Sequence, residues 1–235
     1  MITDDEVLGD AVRNNADWCQ TMCRAHGLTG TFGPRAWTSS VRTPLYYPEA
    51  VTLTEDAAAK DVLDGIDRTI PWTSVKDSYA RLDLEPEGFR LLFEAQWIAR
   101  PAGLPPAPAA TGDWRPVRSP EELDAWALAW SGGDAGDAML FRPELLADPA
   151  TTILAGHGDD GRLLGGAVLT TSPRVTGVSN LFATPGTDPS LAWAGVLASA
   201  PADRPVVGYE SGDDLPPALA AGFGTIGPLR VWTTG

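Results

Sequence analysis

Residues 206–232, VVGYESGDDLPPALAAGFGTIGPLRVW, carry a strand, a helix and the start of a second strand in quick succession. Val206–Glu210 is a short apolar run bounded by proline and an acidic turn, the pattern of a strand buried on both faces. DDLPPALAAGF reads as a helix that opens on prolines, whose missing N–H groups cost nothing in a first turn, and that stops at Gly222. PLRVWTTG then closes the sequence as a strand around Trp232.

Working back from there, PSLAWAGVLASA predicts a helix starting at Pro189 or Ser190, preceded by the loop TPGTDP and by VTGVSNLFA, a strand of apolar and small residues. GRLLGGAVLTTS and TTILAGHG predict two more strands joined by the polar turn HGDDG. FRPELLAD reads as a short helix and SPEELDAWALAW as a longer one, with Ser119 as N-cap, Pro120 in the first turn and Glu122 placed for a capping box. WRPVRS opens this half as a strand.

The resulting order is strand, helix, helix, three strands, helix, strand, helix, strand. It resembles that of the Gcn5-related N-acetyltransferase (GNAT) superfamily over about 120 residues, most sharply at GRLLGGAVL and at residues 206–232. The resemblance implies a mixed α/β fold with a central mixed sheet flanked by helices. It also implies two splayed parallel strands, residues 178–183 and 205–210, with the pantetheine arm of acetyl-CoA pairing to the exposed backbone between them. On that reading Leu181, Phe182, Ala183, Gly186 and Ser190 hold the cofactor, Asn180 positions the substrate, Tyr209 donates a proton and Glu210 removes one. The packed alternatives remain open: Tyr209 in the sheet, Glu210 capping the next helix, Asn180 at a bulge.

Two family features depart from the pattern. The diphosphate loop of the family runs Gln/Arg-x-x-Gly-x-Gly/Ala and turns its backbone N–H groups toward phosphate. Here it reads TPGTDPS, with one glycine, two prolines without N–H groups and an acidic Asp188. The family's proton donor is a tyrosine four residues before Gly-Phe, and this chain has Ala218 there.

The first half opens with a helix over residues 4–26, where Val7, Ala11, Trp18, Met22 and Ala25 recur at helical spacing before Gly27. Its Cys19, Cys23 and His26 sketch three metal ligands, but no second cluster completes a tetrahedral site, so helix packing is the expectation and no metal is expected. The segment GLTGTFGPRAWTSSVRTPLYYPEA places Trp37 and Tyr47 near prolines, where they either line a substrate pocket or cover a core edge. Thr54–Asp67 reads as a helix capped by Thr54, and SVKDSYARLDLEPEGFRLLFEAQWIAR echoes the tail: a strand, an acidic turn, Gly88-Phe89 against Gly222-Phe223, and Trp97 against Trp232. This half is a candidate degenerate second GNAT unit, giving residues 1–100, a Pro/Ala-rich linker at 101–113, and a domain at 114–235.

Composition narrows the partners. The net charge is -14 with a pI near 4.4, which repels nucleic-acid and anionic lipid phosphates. The cations are almost all arginine, and abundant Ala, Gly, Pro and Asp suggest a high-GC bacterial genome. An acidic N-terminus and the lack of a long apolar run point to the cytoplasm. The expectation is an acetyl-CoA-dependent N-acyltransferase acting on a small amine, with a homodimer as an open question. The alternative is a non-catalytic module of the same fold that binds a small molecule or protein partner near Trp37, Tyr46, Tyr47 and Trp193.

Overall fold

The computed structural model describes residues 3–104 and 111–235. The chain folds as two compact units, one of residues 1–97 with 226–235 and the other of residues 98–225. The expected division placed all of 114–235 in one domain. The observed one gives the last strand to the first unit. Residues 105–110 of the expected linker lie outside the described residues.

The first unit starts with α1 (Asp4–Ala25), opened by a capping box between Thr3 and Glu6. It ends in a Schellman turn: Leu28 N–H donates to the Cys23 carbonyl at 2.8 Å while Gly27 takes the left-handed conformation at φ 71°. The aromatic segment after it forms three short strands, β1 (Thr31–Phe32), β2 (Ala36–Thr38) and β3 (Ala50–Thr52). The helix expected at 54–67 is confined to α2 (Ala59–Leu63), because the chain turns at Thr54 to Ala57 before any helical ladder begins.

Strands β4 (Ser74–Asp77), β5 (Phe89–Arg100) and β11 (Gly224–Thr234) complete this unit in the order β1-β2-β3-β4-β11-β5. β3 and β4 are parallel, and β11 lies antiparallel to β4 with Trp232 opposite Val75. The core joins Ala36, Ala50, Val62, Val75, Leu82, Leu84, Phe89 and Trp232.

The second unit has strand order β10-β9-β8-β7-β6, from β6 (Asp113–Pro116), β7 (Thr151–His157), β8 (Leu163–Thr171), β9 (Thr176–Ala183) and β10 (Val206–Glu210). Helices α3 (Pro120–Trp130), α4 (Ala135–Ala138), α5 (Pro189–Ser199) and α6 (Leu215–Ala220) accompany them. The FRPELLAD helix is a short 3-10 turn, Pro143–Ala147. Trp114 of β6 lies over two glycines: a Cβ at Gly156 of β7 or at Gly195 of α5 would collide with its indole ring. Glycine inside α5 costs helix stability, and here it makes room for a tryptophan.

The halves repeat one turn. Gly88 at φ 87° and Gly222 at φ 90° each precede a buried phenylalanine, and the N–H of Phe89 and of Phe223 donates five residues back, to the Leu84 and Ala218 carbonyls. The strands leaving these two turns are exchanged. β11 leaves the second unit's turn and closes the first unit against β4, whereas the end of β5 belongs to the second unit. There Ile98 packs with Trp193, Val206 and Phe223, and Arg100 Nε donates to the Ala221 carbonyl at 3.1 Å.

Candidate functional site

β9 and β10 run parallel but pair only at their starts, Thr176 with Val206 and Gly177 with Val207. Beyond that point β9 has no partner strand on the β10 side among the described residues. Its other edge stays paired with β8, where the register slips between Gly166 and Val168, so that Asn180 and Leu181 together face Ala167. Asn180 sits at φ 53°, the left-handed geometry that a bulge of this kind requires, and asparagine tolerates it better than most residues. Bulges sharpen the local twist, and this one lies just beyond the last residues of β9 that pair with β10. At the apex Gly208 approaches the Val178 carbonyl so closely that a Cβ would lie 3.1 Å from its oxygen.

Leu181, Phe182 and Ala183 occupy the divergent limb of β9, as expected from the sequence. The Phe182 ring makes an edge contact with Trp126, centroids 5.2 Å apart. Trp126 in turn donates its indole N–H to the Leu154 carbonyl at 2.9 Å, so the limb rests on a held aromatic stack.

Glu210 ends the β10 limb and is half-buried. Burial, with the nearby Asp214 charge adding to it, pushes its carboxyl up from the usual carboxylate range to about 8. A carboxyl that ionises near neutrality is a competent general base for an amine. Tyr209 beside it is half-buried as well. Ala218 is fully enclosed in the core with Trp193 and Phe223, so its position supplies neither a hydroxyl nor room for one.

The loop after β9 is closed upon itself. Thr184 donates its N–H to the Leu164 carbonyl at 2.8 Å and its hydroxyl lies 3.0 Å from the Leu163 carbonyl. Thr187 N–H donates to the Thr184 carbonyl, and Asp188 caps α5 by accepting the Ser190 N–H at 2.9 Å. That hydrogen bond from Ser190 holds the Asp188 carboxyl below its usual range. Gly186, at φ 87°, has open space around it, but the Ser190 amide expected to meet phosphate is already taken. The edge of β9 offers main-chain groups to a slender arm, whereas a loop with two prolines, a carboxylate on its helix end and no Lys or Arg is a poor match for a diphosphate.

A cavity of about 280 Å³ lies beside this end of the sheet, lined by residues including Arg115, Glu122, Trp126, His157 and Leu163. His157 Nδ1 is buried there with no hydrogen-bond partner among the described residues. Periodicity could not have marked this cavity, since its lining comes from β6, α3 and the β7–β8 turn at unrelated spacings.

The first unit places its own candidates differently. Trp37 is fully buried with its N–H given to Gln20 Oε1 at 2.7 Å, and Tyr47 is buried edge-on to Trp18. Both are packed in the core of the first unit, the covering role the sequence left open beside a substrate contact, since burying indole and phenol rings is worth more than exposing them in a loop. Trp193 is likewise core, and only Tyr46 of that group is exposed. Cys19 and Cys23 are buried in α1, and desolvation pushes both thiols up, Cys23 to about 12. Where β3 and β4 begin to part, side chains bridge the gap: Ser78 N–H donates to Thr52 Oγ1 at 2.7 Å and Tyr79 O–H to the Leu53 carbonyl at 3.3 Å. The splay is thus open in the second unit and stitched in the first.

No protein-family model and no curated protein matches the sequence. Among solved structures, a GCN5-related N-acetyltransferase from Kribbella flavida is similar over 95% of each chain at 16% identity, with a TM-score of 0.62. A conserved protein of unknown function from Staphylococcus epidermidis is similar over 87% of this chain and 92% of its own, at 10% identity and a TM-score of 0.59. A structure assigned to the GNAT family from Novosphingobium aromaticivorans covers 93% of this chain and 96% of its own, at 12% identity and a TM-score of 0.55. With its parallel strands parting at a bulge, this chain has the fold of the Gcn5-related N-acetyltransferases.

Proposed function

We propose that the chain transfers an acyl group from a thioester to an amine at the parting of β9 and β10. The observation that carries this reading is the pairing of those strands, which stops after two residue pairs and leaves an edge of β9 along which the amides of a slender arm can lie. Glu210 takes the proton of the incoming ammonium. The amine nitrogen attacks the thioester carbonyl and the C–N bond forms; as the C–S bond breaks, the nitrogen gives its second proton to solvent and the sulfur leaves as a thiol after protonation. Tyr209 is the proposed donor of that proton, since Ala218 has none to give. Asn180, held at the bulge, is proposed to orient the acceptor. The first unit, repeating the Gly-Phe turn but stitched at its strand pair, is read as a degenerate second copy that has lost its site.

The test is release of free thiol from acetyl-CoA or a related thioester in the presence of a panel of primary amines, with Glu210→Gln as control. Amine-dependent release that falls by about a hundredfold or more in the variant supports the reading. Binding of a thioester without turnover on any amine would leave a non-catalytic binding module as the function.

A further inference from the structure

The disagreement between the two ends of the donor site carries a narrower conclusion, which rests on the acyl-transfer reading above. An arm laid along β9 meets a strand edge with no neighbouring strand among the described residues, and a diphosphate beyond it meets a loop in which most of the amides are bound or missing. Asp188 accepts the Ser190 N–H at 2.9 Å, and the Leu191 N–H goes to the Asp188 carbonyl at 3.0 Å. Pro185 and Pro189 have no N–H to offer, and the Thr184 and Thr187 amides are bound within the loop and to β8. The favourable positive end of α5 is therefore already satisfied by a carboxylate belonging to the protein.

Among the described residues, neither the loop itself nor the turn beside Leu163 supplies net positive charge in place of the lost donors. Residues 184–190 contain no Lys or Arg. Arg162 precedes Leu163, which meets Thr184, but it shares its turn with Asp159 and Asp160, and Asp160 accepts the Arg162 N–H at 3.0 Å. The chain as a whole carries -14. A ligand bearing several phosphates would approach against that field.

We infer that the donor is recognised through its pantetheine portion alone, so that acyl-pantetheine thioesters lacking the 3′,5′-ADP group serve as well as CoA thioesters. A phosphate-poor carrier of the same arm is the chemical class of donor that this site takes.

The experiment measures binding of CoA, pantetheine and 3′,5′-ADP to the full chain by calorimetry at low and moderate ionic strength, and acyl transfer from S-acetylpantetheine and acetyl-CoA. The expected result is that CoA and pantetheine bind within about threefold of each other and that 3′,5′-ADP neither binds nor competes. Replacing the cap by Asp188→Gly, which frees the Ser190 amide and removes the charge, is expected to shift the preference toward CoA by on the order of tenfold at low salt. Tighter binding of CoA than pantetheine by about thirtyfold or more, or competition by 3′,5′-ADP, overturns this inference while leaving acyl transfer standing. Failure of both pantetheine and CoA to bind overturns the inference and the acyl-transfer reading together. If Asp188→Gly does not fold, the wild-type comparison decides alone.

Discussion

Gly208 faces the Val178 carbonyl at the point where β9 and β10 separate, and a Cβ there would sit 3.1 Å from the oxygen. Alanine in a strand is ordinarily the more stable residue by about 0.5–1 kcal/mol. Here that sign reverses. Gly208→Ala should destabilise the protein by about 1–3 kcal/mol, the range for forcing an extra carbon into a filled space, as read from urea denaturation midpoints. An unchanged or higher midpoint would show that the apex has room for a methyl group.

Glu210 gives a pH signature in both activity and stability. As the base it must be ionised, so kcat/KM should rise with pH through about 8 and lose that rise in Glu210→Gln. Its native carboxyl holds a proton that the unfolded chain gives up near the ordinary glutamate value, so native stability should fall as pH climbs from about 4.5 to about 8. Glu210→Gln should flatten that slope by on the order of 1 kcal/mol, discounted for the residue's partial exposure to water. A pH–stability curve identical in the two proteins would place the carboxyl in solvent.

Gly195 tests the packing of Trp114. A glycine-to-alanine change within a helix usually stabilises by about 1 kcal/mol. Gly195→Ala should instead destabilise by about 1–2 kcal/mol, because the methyl group collides with the indole. In a Trp114→Ala background the same change should recover its ordinary stabilising sign, and a double-mutant cycle by chemical denaturation measures the coupling.

Glu49 is fully buried in the first unit and accepts from Ser74 N–H at 2.7 Å, from the Thr43 hydroxyl and amide, and from Arg42. Glu49→Ala would strand those donors, and a loss of about 3–5 kcal/mol is expected in thermal or urea unfolding. Glu49→Gln, which keeps one acceptor oxygen, should lose less. Equal losses from the two variants would mean that the site needs both carboxylate oxygens or their charge, and that the volume glutamine keeps contributes nothing.

The second half was legible because its elements announce themselves locally. Ser119 and Glu122 mark the start of α3, the run of apolar residues marks β10, and Gly222 stops α6. The strands of two and three residues between Thr31 and Thr52 were hidden, since so short a strand shows no alternation and its segment is crowded with Gly, Pro and Thr. The destination of β11 was hidden for another reason: a strand's own residues specify which face is buried, and not which neighbour it pairs with. In the candidate site the backbone geometry was reachable through order and spacing. The fates of Trp37 and Tyr47 were not, because an aromatic beside prolines looks the same in sequence whether it lines a pocket or fills a core.

The pairing of Trp232 with Val75 also dictates a timetable for synthesis. When β4 has been made, the strand that will lie against it has not, and that edge stays without this partner until β11 is made. Such distant contacts slow folding, because the intervening loop must be closed before they form. The first unit must therefore wait for β11, with the edge of β4 open to wrong partners and its core lacking Trp232.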